Sequence, residues 1–504
     1  MERQAEGDGQ LVHAPTIRVM AALAAVVLSL PACTRSVEAV DAGGGSGASS
    51  AASQPDGAEG SGSFDWPAFL FDLRHSSANE ADTGIAPEDA SSLRRLWDWR
   101  PDAPTQPGQP PAQLFATPVV HQGRIYIGAN TGEFYALQGT TGTVLWTYDM
   151  GFQEADRSCG ARGITSTATV AIDPATSRAT VYVGGADGAL YALDADTGEL
   201  VWKERIFSPE EDGHNWSSPT VAQGRVYMGV SAHCKSVVRG GVKQFDQATG
   251  RLLGAYWTVP EGTVGGSVWS TVAASGDGSI FVSVGADPDG SDSGDSYAIV
   301  RVDSETMTKV DSWQAPLLGT DLDFGSSPTL FTATVDGTKT PLVGACNKNG
   351  HYYALAQNDL AAGPVWDVQV SGQWPDEGNC LGAAVWDARS GRLFIAAAQT
   401  TVAGEEYRGS VRALDPATGE AVWETGLPGS VWGSPTLNGA GLLAVPSFDQ
   451  EPEATRGIFL VDSRDGSLVT TLDTDDSPVF AQPVLSGDYL YAAGHSGLIA
   501  YAKT

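Results

Sequence analysis

From residue 117 onward the chain alternates short apolar runs with polar turns, and the alternation itself repeats at a longer period. Residues 191–202 read YALDADTGELVW, and residues 135–146 (YALQGTTGTVLW) and 411–423 (VRALDPATGEAVW) are near copies. Weaker copies lie at 245–250, 302–313, 353–366 and 460–466. Trp146 and Trp202 stand 56 residues apart, Trp313 and Trp366 53, and Trp366 and Trp423 57. Each copy follows two strand-like runs, as in 117–120 (TPVV) with 123–128 (GRIYIG). Alternating β-branched and aromatic residues favour strands, and Thr-Gly or Asp-Gly supplies a turn residue that tolerates positive φ.

A unit of this length holds four short strands, whose two apolar faces are buried only when further units stack alongside. Units begin near Thr117, Thr165, Ser217, Ser270, Ser326, Gly382, Gly433 and Ala481. The last ends at Tyr501 without a fourth strand, and residues 93–99 (LRRLWDW) have the character of the missing one. The pattern predicts an all-β fold, an eight-bladed β-propeller of four-stranded antiparallel blades. An N-terminal strand closes the ring, so no long edge is left exposed.

Upstream, residues 20–30 (MAALAAVVLSL) form an apolar run of 11 residues after Arg18. A membrane-spanning helix takes about 20, so the run suits the core of a secretory signal instead. It ends in LPAC, similar to a bacterial lipobox in which Cys33 is lipidated; the alternative is an ordinary signal that leaves Cys33 a thiol. Residues 40–63 are rich in Gly, Ala and Ser and read as a flexible tether. The expected layout is a signal segment over 1–33, a tether over 34–63 and the propeller over 64–504. Such a chain is exported and touches a membrane only through its lipidated N-terminus, facing the periplasm or cell surface, with the outer membrane favoured over the inner.

Charge narrows the partners. Lys and Arg number 29 against 60 Asp and Glu, a formal net charge of −31. Phosphate backbones are bound by clustered cations, so nucleic acid is excluded as a partner.

The repeats resemble the tryptophan-docking units of quinoproteins, dehydrogenases that use pyrroloquinoline quinone (PQQ). Residues 65–79 (DWPAFLFDLRHSSAN) are most similar to the polyvinyl alcohol dehydrogenase branch. The resemblance implies alcohol oxidation with PQQ and calcium, and it offers a site. CGARG at 159–163 gives Arg162 as a cofactor-binding cation, with one cysteine where the family has an adjacent pair. GGSVW at 265–269 gives Trp269 as a stacking floor, DLDFG at 321–325 gives Asp323 as catalytic base, and NKNG at 347–350 gives Lys348 as a second cofactor-binding cation. Two positions depart from the family. Lys235 stands where a calcium-ligating Glu is expected and Ala286 where a ligating Asn is expected, which leaves Asp287 as the candidate metal ligand. Calcium takes six to eight oxygens, so both departures weigh against it.

Each residue also has a plainer reading. Asp321 and Asp323 can hold backbone amides between blades, Trp269 can be core, and Arg162 and Lys348 can pair with the many acids. The acidic run 287–295 reads either as a calcium loop or as a solvated turn, and His214, His233 and His351 show no zinc-like spacing. Cys159, Cys234, Cys346 and Cys380 form an even set in an oxidising compartment. Pairing Cys159 with Cys234 and Cys346 with Cys380 joins adjacent blades; four free thiols are the alternative. No Cys-x-x-Cys-His occurs, so no covalent haem is expected, and an enzyme of this kind needs an external electron acceptor. The competing function is a scaffold that binds protein or polymer at the propeller face, like the cofactor-free propeller lipoprotein of outer-membrane β-barrel assembly.

Overall fold

The computed structural model describes residues 64–155, 160–207, 212–232, 238–288, 293–316, 321–372, 379–448, 455–478 and 480–503. The signal segment, the tether, Cys33, Cys159, Cys234, His233 and Lys235 lie outside them.

Among the described residues, the strands form eight sheets, each with a four-stranded antiparallel core. In the first blade the strands run outward from the axis in chain order: Val119–His121, Arg124–Gly128, Glu133–Gln138 and Val144–Asp149. The middle strands are almost wholly buried, whereas the outermost alternates exposed and half-buried positions. This follows from radial stacking, because only the rim of a blade meets water. The inner strands of successive blades begin at Val119, Thr169, Thr220, Ala273, Thr329, Val385, Thr436 and Val484. The eighth blade takes its outer strand from the N-terminus: Leu93–Trp99 pairs antiparallel with Gly497–Lys503, Leu93 opposite Lys503. The ring closes as the sequence predicts.

The repeated Trp and Gly prove to be partners across blades. Gly142 lies at φ +70°, and a Cβ there would stand 2.7 Å from the ring of Trp97, the outer-strand Trp of the preceding blade. Trp146 covers Gly198 and Trp202 covers Gly250 in the same way. Each indole also donates to a carbonyl of the turn it covers: Trp97 Nε1 to Gly139 O at 3.1 Å, Trp146 Nε1 to Ala195 O at 3.2 Å and Trp202 Nε1 to Gln247 O at 3.0 Å. The turn glycine thus serves both positive φ and close approach of an indole.

A belt of hydroxyls ties the blades together around the axis. Two residues before six of the eight inner strands, a backbone N–H donates to a side-chain hydroxyl of the next blade. Thr117 donates to Thr167 Oγ1 at 2.9 Å, Thr167 to Ser218 Oγ at 3.1 Å, Ser218 to Thr271 Oγ1 at 3.0 Å and Thr271 to Ser327 Oγ at 2.8 Å. Ala383 to Ser434 Oγ and Gln482 to Thr117 Oγ1, each at 2.9 Å, continue the series. The belt breaks where Ala383 and Gln482 offer no hydroxyl to the preceding blade.

One end of the axis is filled. Residues 66–77 accept hydrogen bonds from the second residue of inner strand after inner strand. Val120 N donates to Trp66 O, Val170 N to Pro67 O, Ala274 N to Leu73 O, Leu330 N to Arg74 O, Trp386 N to Ser76 O and Leu437 N to Ser77 O, at 2.7–3.0 Å. Leu70 N reaches Gln482 Oε1 of the eighth blade at 3.3 Å. The strap thus satisfies an inner-strand N–H in six blades and donates to a side chain of a seventh. It bends through left-handed backbone at Leu70, Phe71, His75 and Ser77 to do so. The strap lies at the end where first and second strands turn, as at Gln122. The loops entering each blade open at the opposite mouth.

Candidate active site

Four residues before each inner strand, the entering loop places one residue at the open mouth: Phe115, Thr165, Trp216, Trp269, Gly325, Leu381, Trp432 and Phe480. Five are aromatic. Beside this collar stand Asp323, Lys348 and Arg162, charged residues that the sequence singles out.

Asp323 is buried, and its carboxylate is held from both sides. Oδ2 accepts from Trp269 Nε1 at 3.3 Å and from Ala286 N at 3.0 Å; Oδ1 lies 2.7 Å from Lys348 Nζ. Lys348 Nζ is also 2.7 Å from Asp321 Oδ1 and sits 5.1 Å from the centre of the Trp269 ring. Lys348 is delivered by the turn between the second and third strands of the fifth blade, whose backbone is tied in turn to Asp323, Lys348 N to Asp323 O at 2.9 Å. Burial pushes the Asp323 carboxyl above the usual carboxylate range, opposed by the Lys348 charge. The two acids hold the Lys348 ammonium above its ordinary value despite its burial. Asp323 thus combines both readings of the sequence: it fixes a backbone amide of the neighbouring blade and presents a carboxylate at the mouth.

Arg162 is placed differently. Its backbone pairs with Gln153, N–H···O distances 3.0 and 2.7 Å, and its guanidinium lies 5.6 Å from the ring centre of Phe115 and 5.9 Å from that of Trp216. Among the described residues it has no carboxylate partner, and its Nε is buried without a hydrogen bond. Burial alone draws its pKa below the ordinary arginine value. Beside it His214 is fully buried, Nε2 2.8 Å from Thr165 Oγ1 and Nδ1 3.1 Å from Gln153 Oε1, and is a wall of the mouth rather than a surface residue.

Asp287 is not part of this group. Its Oδ1 accepts from Ser296 Oγ at 2.5 Å and its Oδ2 from Ser293 N at 2.8 Å, and at 3% exposure it braces its own loop. Asp295 is buried too, bonded to Tyr256 OH at 2.5 Å and Lys309 Nζ at 2.8 Å, so these two acids are not the solvated turn that composition allows. Among the described residues no three His, Cys, Asp or Glu side chains converge. They do not assemble a calcium cradle. The donor set fits PQQ better, a planar tricarboxylate, because it offers an indole plane, a paired ammonium and an unpaired guanidinium. Cys346 and Cys380 form a disulfide, Cα atoms 5.2 Å apart, that joins blades five and six beside Lys348 and Leu381.

Sequence reasoning missed the aromatic collar. Its signal is position: the residue lies four before each inner strand, and in most blades a Ser or Thr follows two places on.

Residues 66–372 match the family model described as the glucose/ethanol/alcohol dehydrogenase β-propeller domain. The chain belongs to this family. Residues 354–503 match the model for outer membrane protein assembly factor BamB. The dehydrogenase subunit of a quinone alcohol dehydrogenase from Gluconobacter oxydans is 34% identical over 184 residues, 35% of this chain and 22% of that one. The quinohemoprotein alcohol dehydrogenase of Comamonas testosteroni is 34% identical over 146 residues, 29% of this chain and 20% of that one. The chain therefore matches about a fifth of the length of these relatives. A europium-containing methanol dehydrogenase shares the fold, TM-score 0.67 at 18% identity over 87% of this chain and 91% of that one.

Proposed function

We propose that this quinoprotein-type propeller oxidises an alcohol, with Arg162, Trp269 and Lys348 holding PQQ and Asp323 accepting the hydroxyl proton. The observation that carries the reading is the half-buried Arg162, whose guanidinium has no acid among the described residues and whose Nε is buried without a hydrogen bond, in the same mouth as the Asp323–Lys348 pair. A buried donor left unmatched is costly, and an anionic ligand that accepts from it relieves that cost. When bound, PQQ supplies the two-electron quinone oxidant that takes a hydride from the alcohol carbon. In this reading Asp323 receives the hydroxyl proton at its carboxylate. Lys348 keeps the carboxylate ionised and oriented, and Asp321 steadies Lys348 from the solvent side.

Export and lipidation at Cys33 are supported by the apolar run and lipobox-like sequence, and the polyvinyl alcohol branch by residues 65–79. The electron acceptor in this reading is a separate partner. Full-length protein incubated with PQQ, with and without calcium, tests the proposal. Quinone absorbance retained after gel filtration and alcohol-dependent dye reduction, lost in Asp323→Asn, support it. Absence of bound quinone at saturating PQQ favours the scaffold reading, which the match of residues 354–503 to the assembly factor model supports.

A further inference from the structure

The mouth holds one more basic side chain, which the reaction above does not use. His495 stands in the turn between the second and third strands of blade eight, Tyr489–Gly494 and Gly497–Lys503. Lys348 occupies the corresponding turn of blade five, between Thr338–Cys346 and His351–Ala356. Each turn is tied to the entering loop of its own blade by the same backbone N–H: Lys348 N donates to Asp323 O at 2.9 Å and His495 N to Ser477 O at 3.1 Å. The fold thus uses one device twice, but only Lys348 meets a carboxylate.

His495 lies half-buried against the collar. Its ring meets Phe115 edge-on, centres 5.2 Å apart, and its carbonyl accepts from Leu114 N at 3.0 Å, which holds the Phe115 segment to the turn. The Arg162 guanidinium stands 5.6 Å from the centre of the same Phe115 ring. His495 Nε2 and Arg162 Nε are each buried without a hydrogen-bond partner. From its own turn, the entering loop of blade eight, the Phe115 segment and the Arg162 loop, the charged groups that act on His495 are Asp476 and Arg162. Asp476 Oδ2 accepts from Ser496 N at 2.7 Å, and its carboxylate makes no hydrogen bond to the imidazole. Burial draws the His495 pKa below the ordinary histidine value; Asp476 opposes this and Arg162 adds to it, so the ring is largely neutral at neutral pH. Two nitrogens left unmatched on either side of one ring call for a shared acceptor.

Resting on the quinoprotein reading for the source of the anion, we infer that Arg162 and His495 form one carboxylate subsite on the Phe115 ring, and that His495 takes up a proton as the carboxylate binds. A carboxylate beside the imidazole favours its charged form, and the imidazolium in turn tightens the hold on the carboxylate, so the two events are linked reciprocally. Lys348 supplies no such link, because its two acids already keep it charged.

The test is calorimetric titration of the full chain with PQQ, and separately with trimesate, a benzene tricarboxylate, at about pH 8 and about pH 6. Wild-type affinity should gain at least about threefold more on acidification than that of His495→Gln, and buffers of different ionisation enthalpy should show a larger proton uptake by the wild type. Asp323 and the other ionisable groups of the mouth are the same in both proteins, so the comparison isolates His495. His495→Lys, with a fixed charge, should bind at least as tightly as wild type at the higher pH and lose the extra gain; using two variants guards against one failing to fold. Equal pH dependence and equal proton uptake in wild type and His495→Gln would overturn the inference, as would failure of both probes to bind. Trimesate binding with the His495-dependent gain, alongside no PQQ binding, would keep the subsite and end the quinoprotein reading.

Discussion

Lys348 Nζ and Asp323 Oδ1 stand 2.7 Å apart beneath the collar, an ion pair in which the acid is buried and the cation partly exposed. Burial raises the Asp323 carboxyl and the ammonium lowers it, so the base titrates above an ordinary aspartate but below an isolated buried one. Turnover by PQQ-loaded protein should rise with pH with unit slope and then level, as Asp323 loses its proton. The midpoint should lie above the ordinary value of about 3.9. Lys348→Met should move it further upward; a pH–rate profile that Lys348→Met leaves in place would contradict this.

Ring closure rests on Trp97 over Gly142. Trp97→Ala removes the indole and its bond to Gly139 O, and the half-buried site places the cost near the low end of the range for buried aromatics, about 3 kcal/mol. Gly142→Ala should also destabilise, by at least about 1 kcal/mol, because it meets both a positive φ and the Trp97 ring. Urea unfolding of both variants measures this; wild-type midpoints would show that the N-terminal strand does not close the ring.

The periodicity of Trp and Thr-Gly made the blades, their order and the closing strand legible in the sequence, because each blade repeats the same solution to burying its faces. Asp323, Lys348 and Trp269 were legible as short motifs, and the structure brings them into contact. The hydroxyl belt was not, since Thr117 and Ser218 act on neighbours 50 or more residues away. The strap was invisible for a similar reason: residues 66–77 use backbone carbonyls, which no side-chain pattern reports. Asp287 drew notice as an acid in an acidic run, but its carboxylate accepts from a serine hydroxyl and an amide of its own loop.

His75 anchors the strap, its Nδ1 2.8 Å from Pro328 O in the fifth blade, and burial brings its pKa down to about 4. An unfolded histidine binds a proton near pH 6.5. Between these values the unfolded state holds more protons, so stability falls as pH drops through the window, by up to roughly 3 kcal/mol at pH 4. His75→Asn, which tolerates the left-handed backbone, should remove that share of the acid sensitivity. The check is the difference between variant and wild-type unfolding free energies at pH 7 and at pH 4.5; a constant difference would contradict the assignment.

Reduction of the Cys346–Cys380 disulfide, which spans 34 residues, should lower stability by about 2–4 kcal/mol. Thermal unfolding with and without reductant reads the effect, and a Cys346→Ala/Cys380→Ala double variant should unfold alike under both conditions as regards this link. An unchanged unfolding temperature on reduction would show that the link between blades five and six contributes little.

Direct titration of the full chain with PQQ, followed by quenching of tryptophan fluorescence, tests the site as a whole. One saturable equivalent should bind, and Arg162→Ala should weaken it by about ten- to a hundredfold, the loss expected for a charge-assisted hydrogen bond. Absence of saturable binding, or binding indifferent to Arg162, would contradict the account.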